Sequence, residues 1–221
     1  MVEDGTGRIG GAAKLVEAKR AWARDGRLLT GTTADPAQQR LPPGQRLVKD
    51  WPVLDLGARP NISPERFRLD IDGAVHRPLS LRLDEFMALP QADSVSDMHC
   101  VTQWSRYDNH WRGVAARTVI EAVQPHSDAA HVLLHGADGY ATNIRLDQFD
   151  QADVFLVHSW EGAPITAEHG GPVRALIPRL YLWKSAKWIN RIEFLVRDRP
   201  GFWERNGYHN NADPWMEERY G

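Results

Sequence analysis

The sequence predicts an α+β fold with mixed β-sheets and scattered helices. Two observations carry this reading. Segments with alternating apolar and polar residues outnumber helical ones, and the helical segments fall irregularly between them instead of following every strand. The chain also has no internal repeat and no low-complexity tract. At 221 residues with 42% hydrophobic and 25% charged residues, it matches soluble globular domains, so composition supports neither disorder nor membrane spanning.

The elements follow in order. Residues 12–26 place Leu15, Val16, Ala18 and Trp22 on one helical stripe, with Lys and Arg opposite and Gly26 as terminator. We read this as a docking arm outside the main fold. Residues 30–50 mix Thr, Pro, Gln and Gly without periodicity, as a linker would. The expected organisation is therefore an arm and linker over 1–50 and one domain over 51–221, its compact part starting near Lys49. Phe67, Leu69 and Ile71 alternate with charged residues before Gly73, and Leu79, Leu81 and Leu83 alternate again before a short helix over 84–89. Further strands are expected over 131–135, 140–146, 154–158, 173–177 and 189–196, with a helix over 115–123.

Charge and apolar runs exclude several classes of partner. The net charge is −2 and the slight basic excess in residues 1–50 is too small for a phosphate-backbone stripe, so nucleic acid is not an expected partner. No apolar run approaches the ~18 residues of a membrane span. The N-terminal residues lack the apolar core of a secretory signal, and on that basis the expected location is cytoplasmic.

One cysteine, Cys100, rules out an internal disulfide, an all-cysteine zinc site and any C-x-x-C pair. It follows a probable strand and precedes a polar, aromatic-rich loop carrying Trp104, Arg106, Asp108, His110 and Trp111. Three readings stand side by side. A lone cysteine is often inert packing. As a nucleophile it would need a histidine and an orienting Asn or Asp, and its surroundings match no cysteine-hydrolase signature. As a soft thiolate it would hold a metal whose other sulfur ligands come from an organic cofactor, which suits a single cysteine. Nine tryptophans are either core or pocket wall.

His169, Arg174 and Lys187 bracket a Gly-Gly turn and a strand end. A buried anionic group such as a phosphate requires such donors, with Gly permitting close backbone approach. Taken singly, each is equally a solvated surface group, and Asp138 in the turn H-G-A-D-G is equally a turn former.

From about Trp51 to Trp215 the sequence resembles the sulfite oxidase fold family of molybdopterin-dependent oxidoreductases. The resemblance runs through RPNISPERFRLDIDG, HCVTQWS, HGADGYATNI, HGGPVRALIPRLYLWKSAKWI and FWERNGYHNNADPW, in that order. H-G-x-P-V-R followed by S-x-K-W is the most specific block. The resemblance implies a molybdenum–molybdopterin cofactor with Cys100 as the metal ligand. It also implies cofactor contacts from Asp138, His169, Arg174, Ser185, Ala186 and Lys187. Tyr208, five residues after Trp203, falls where sulfite oxidases carry an active-site tyrosine; otherwise it is a packing residue. Trp104 and Arg106 would line the substrate side.

The sequence departs from sulfite oxidases at two places. Leu54, Asp55 and Leu56 occupy the positions of an R-N-H triplet, and Gln103, Trp104 and Ser105 replace an arginine pair after the cysteine. A small dianion gains most from bidentate guanidinium contacts, so their loss argues against sulfite. The implied activity is oxygen-atom transfer to or from a small S-oxide or N-oxide, served by an unidentified electron-transfer partner. A noncatalytic molybdopterin-carrying or protein-binding module and a true sulfite oxidase are the alternatives.

Overall fold

A computed structural model describes residues 7–24, 40–57 and 59–221, with side chains from residue 13 onward in the first segment and to residue 21. The expected ends of the arm at Trp22 and Gly26, and most of the expected linker, lie outside the described side chains and residues. Helix α1 spans Gly7–Arg24. There follow β1 (Arg46–Leu47), β2 (Leu69–Gly73), β3 (Leu79–Leu81), α2 (Leu83–Ala88), β4 (Ala92–Cys100), β5 (Trp104–Ala115) and α3 (Ala116–Val123). The second half carries β6 (His131–Gly136), β7 (Ala141–Arg145), α4 (Leu146–Phe149), β8 (Phe155–Trp160), β9 (Ala163–Pro164), β10 (Arg174–Leu176), β11 (Ile189–Leu195) and α5 (Phe202–Arg205).

Two mixed sheets result, as the α+β reading requires. The five-stranded sheet runs β3-β2-β11-β6-β7, with β2 and β11 parallel and the other pairs antiparallel. Its register places Ile71 beside Ile192 and Ile192 beside Leu134, so apolar positions of adjacent strands fall on one buried face. The six-stranded sheet is built on β5, which pairs with β1, β4 and β8; β10 and β9 pair with β8. α3 buries Ala116, Val119 and Val123, one helical stripe, against the core.

The largest difference from the sequence reading is at β5. The segment after Cys100, expected as a loop, is a 12-residue strand antiparallel to β4. Its alternation is hidden because polar residues occupy buried positions. Asn109 is fully buried and satisfied, its amide donating to the Ser96 and Arg106 carbonyls at 3.0 and 2.9 Å. The sheet also begins earlier than Lys49, since Arg46 and Leu47 pair with Trp104 and Ser105.

α1 packs on this body: Val16 joins the hydrophobic core and Lys19 is buried. The helix therefore presents Lys19 inward, although the apolar stripe read from the sequence places lysines on the opposite face. Among the described residues no helix is long and apolar enough to cross a membrane.

One buried ion pair ties the C-terminal part to the five-stranded sheet. Lys184 and Glu204 lie 2.7 Å apart, their side chains 0% and 2% exposed. The same Glu204 oxygen accepts from Thr142 Oγ1 at 2.9 Å and Trp183 Nε1 at 3.0 Å, and Lys184 Nζ donates to the Asn143 carbonyl at 2.8 Å. Removing one partner strands a buried charge. Glu204→Ala is therefore expected to lower stability by roughly 3–5 kcal/mol in urea denaturation, and Glu204→Ala with Lys184→Met to lose less.

Candidate active site

Cys100 is the last residue of β4, where the chain turns through Val101, Thr102 and Gln103 into β5. The turn closes with Gln103 N–H donating to the Cys100 carbonyl at 3.0 Å, and Gln103 takes a left-handed φ of 66°. Two remote side chains hold it. Gln45 Nε2 donates to the Cys100 carbonyl at 3.1 Å, and Arg219 Nη1 donates to the Val101 carbonyl at 3.0 Å. Cys100 Sγ lies 3.1 Å from Thr102 Oγ1. Burial pushes the thiol up, and its hydrogen bonds to the Thr102 side chain and backbone oppose that shift.

The thiol opens on a cleft enclosing about 820 Å³ of empty space, part of it continuous with solvent. Aromatic residues form much of the wall: Trp51, Trp104, Tyr140, Trp183, Trp188, Trp203 and Tyr208. Tyr208 is 4% exposed and packs between Trp203, Trp183 and Tyr220, with ring centroids 4.7, 5.0 and 5.4 Å away. Burial keeps its phenol protonated far above neutral pH, and the nearby Tyr220 and Cys100 add to the shift. Leu54, Asp55 and Leu56 line the cleft as well.

Three cations line it: Lys19, Arg174 and Lys187. Arg174 is 1% exposed, and among the described residues it pairs with no carboxylate. Its guanidinium donates to the carbonyls of His169, Ser185 and Ala175 at 2.7, 2.8 and 3.3 Å. Burial pushes it down to about 9, which leaves it charged at neutral pH. Lys187 Nζ donates to the Glu168 carbonyl at 2.6 Å, and burial followed by repulsion from Arg174 brings it down to about 7. Gly170, at φ +102°, lets this backbone close up: a Cβ there would lie 2.7 Å from Lys187 Cβ. Asp138 lines the opposite turn, accepting from Tyr140 N–H at 3.1 Å, and burial raises its pKa.

Of the residues expected from the sequence, Cys100, Trp104, Asp138, Arg174, Ser185, Lys187 and Tyr208 line this cleft together. Ser185 has its hydroxyl occupied by the Ile177 N–H, at 2.9 Å. His169 stands just behind the wall, its ring stacked on Trp51 at 4.0 Å and 8°. Burial, then Arg174 and Lys187, push it down to about 4, so it is neutral. Ala186 is buried, and its carbonyl accepts the Ala175 N–H at 2.9 Å. Arg106 is not a lining residue. Because its segment is strand and not loop, its guanidinium is fixed in the sheet. It contacts Glu161 at 3.1 Å, donates to the Lys49 carbonyl at 2.9 Å and to Asn109 Oδ1, and lies over the Trp160 ring.

The donor set suits a large anionic cofactor with its own metal ligands. Among the described residues no group of three His, Cys, Asp or Glu side chains would hold a metal ion. A metal at Cys100 thus takes most of its ligands from elsewhere. The buried Trp104 Nε1 and His169 Nδ1 have no hydrogen-bond partner, and Arg174 has no counter-ion. The Trp104 and Arg174 groups, which line the cleft, are ones that a polar, anionic ligand satisfies.

The family model for the oxidoreductase molybdopterin binding domain matches residues 56–203. This chain belongs to that family. It is 42% identical to the "Uncharacterized oxidoreductase YuiH" of Bacillus subtilis over 82% of its own length and 92% of that protein. It is 33% identical to the "Putative protein-methionine-sulfoxide reductase subunit YedZ1" of Azospira oryzae, and 25% identical to the "Protein-methionine-sulfoxide reductase catalytic subunit MsrP" of Campylobacter jejuni. These matches cover 65% and 70% of the chain, which spans only 54% and 59% of those two relatives. The sulfane dehydrogenase SoxCD of Paracoccus pantotrophus shares the fold, with a TM-score of 0.60 at 17% identity over 67% of this chain and 42% of that one. The protein is therefore a molybdopterin-dependent oxidoreductase of the sulfite-oxidase-like fold, and molybdopterin is its cofactor.

Within this family frame, the sequence reading missed Lys19, Trp51 and Trp188 as lining residues. Trp51 was legible only as the edge of the resemblance. Lys19 carried no signal.

Two outcomes test the assignments. Arg174→Met or Lys187→Met is expected to purify poor in pterin, because each leaves the bound anion short of a cation, a loss of roughly 2–5 kcal/mol. Pterin fluorescence after denaturation measures it. Cys100→Ser is expected to keep the fold by circular dichroism while its molybdenum-dependent activity disappears.

Proposed function

We propose that the protein is an oxotransferase acting on a neutral S-oxide or N-oxide, not on sulfite. The carrying observation is the composition of the cleft beside Cys100. The cleft that opens on Cys100 is lined by Leu54, Leu56, Trp104 and Tyr208 among other aromatic residues, its cations are Lys19, Arg174 and Lys187, and Arg106 is held away in the sheet. A bidentate guanidinium contact to a desolvated anion is worth roughly 1.5–3 kcal/mol, so a cleft lacking two of them binds sulfite about two to four powers of ten more weakly. Apolar walls suit the organic substituents of a sulfoxide instead. Relatives named as methionine-sulfoxide reductases support the same direction.

Bound molybdopterin supplies two-electron oxygen-atom transfer. The chain's residues supply the rest. Cys100 Sγ would hold the metal, and Thr102 Oγ1, 3.1 Å from it, would donate to the thiolate and steady it. Asp138, Arg174, Ser185 and Lys187 would hold the pterin and its phosphate, with Ala186 supporting that strip from behind and His169 stacked on Trp51. The aromatic walls exclude water, which strengthens every polar contact inside. Tyr208, protonated at neutral pH, holds a proton on Oη for the oxygen being transferred. A separate electron donor completes the cycle.

The test is steady-state kinetics of the molybdenum-loaded protein, with a reduced dye and a panel of sulfoxides against an oxidised acceptor and sulfite. Sulfoxide turnover with sulfite weak is the expected result. Efficient sulfite oxidation with inert sulfoxides overturns the reading. Full molybdenum content without any turnover identifies a noncatalytic carrier.

A further inference from the structure

Part of the cleft wall comes from outside the segment that matches the family. The match begins at residue 56, and α1 lies well ahead of it. This helix turns Val16 and Lys19, one turn apart, onto the body of the fold, while Lys14 and Glu17 face outward. Val16 provides the apolar anchor in the core. Lys19 is 8% exposed, an unusual state for a lysine, whose methylene stem tolerates burial only if the ammonium reaches a polar place. Here that place is the cleft, which Lys19 lines with Cys100, Leu54 and Asp55. Its Nζ donates to the Asp55 main-chain carbonyl.

Of the other two cleft cations only Arg174 has its donors taken up by several acceptors; Lys187, like Lys19, donates to one carbonyl. Arg174 points its donors at three carbonyls of the turn around it, and Lys187 is fixed to the Glu168 carbonyl. An ammonium has three donors, and among the described residues Lys19 uses one of them, on a carbonyl, with no carboxylate in ion-pair contact. The Asp55 carboxylate is turned instead to Arg59 and the Gly57 N–H. Burial lowers the Lys19 pKa, and the charges of Asp55 and Cys100 partly offset this.

We propose that Lys19 is a specificity-determining residue, its ammonium binding the oxygen of the substrate beside Cys100. One point charge with free donors polarises a single sulfoxide oxygen, whereas the planar fork of an arginine pair matches a multi-oxygen dianion. The inference deepens the oxotransferase reading and rests on it for the nature of the site. It also makes α1 a structural part of that site.

The experiment uses the full-length, molybdenum-loaded protein with Lys19→Met, Lys19→Arg and, as a control on the exposed face of the same helix, Lys14→Met. Molybdenum and pterin content are measured first. Binding of dimethyl sulfoxide, an aryl methyl sulfoxide and sulfite is then read from quenching of the tryptophans, and turnover is split into KM and kcat. Lys19→Met is expected to raise Kd and KM about tenfold, the size of one hydrogen bond from a charged donor, with kcat changed less. Cofactor content should be unchanged, Lys19→Arg should restore most of the affinity, and Lys14→Met should match wild type. Should Lys19→Met lose the fold, Lys19→Gln is read in its place.

Wild-type affinity in Lys19→Met, a deficit of cofactor in it, or no recovery with arginine overturns the proposal. So does a wild-type protein that binds none of the three probes. A wild-type protein that binds them without reducing sulfoxides contradicts the functional reading alone, and loss of that binding in Lys19→Met still supports Lys19.

Discussion

The site depends on the turn that ends the β4–β5 hairpin. A thiolate ligand must be held at a fixed point, and a hairpin turn on its own would leave it mobile. Here the carbonyls of Cys100 and Val101 are taken by Gln45 and Arg219, one from each side of the matched domain. The turn is also continuous with a nine-residue and a twelve-residue strand in ladder register, Cys100 facing Trp104. Rigidity thus comes from the sheet, and orientation comes from two distant side chains. Among the described residues no other His, Cys, Asp or Glu side chains group with Cys100 to hold a metal, so a metal bound there would take its remaining ligands from a cofactor.

Charge in the cleft is arranged by burial as much as by pairing. Arg174 is cationic without a counter-ion, Lys187 is held near neutrality by the same neighbourhood, and His169 is kept uncharged. An imidazolium beside Arg174 would add a third positive charge with nothing to balance it. A neutral ring can instead stack flat on Trp51 and place that tryptophan in the wall. The cations face a ligand, and the aromatic residues set the dielectric in which they act.

How much of this is legible in the sequence depends on how local each signal is. Strands such as β2 and β11 read clearly because Leu69 and Ile71, and Ile192 and Phe194, alternate with polar residues on a one-sided sheet. β5 does not, because Ser105 and Asn109 fill buried positions whose hydrogen bonds are made only in three dimensions. The cleft residues near Cys100 and in the H-G-G-P-V-R and S-A-K-W segments are dense enough in donors and glycine to stand out. Arg106 looked like one of them from its spacing, yet Glu161, far along the chain, decides where its guanidinium lies. Lys19 is the converse case: the apolar stripe that orients α1 is narrow, and a long cationic side chain reads as solvent-facing in any single sequence.

The groups left unmatched in the cleft bear on folding as well as function. A buried guanidinium without a carboxylate, an indole N–H without an acceptor and an imidazole nitrogen without a partner each oppose folding by the desolvation they have lost. The fold carries them because Trp51, Trp104 and Trp203 bury large apolar areas in the same walls. A ligand in the cleft that meets the guanidinium and the indole N–H at once removes those two penalties together, so its binding stabilises the folded chain by more than its apolar contacts alone provide. A site of this kind selects its cofactor by the penalties only that cofactor removes, and the substrate then meets walls already fixed in place.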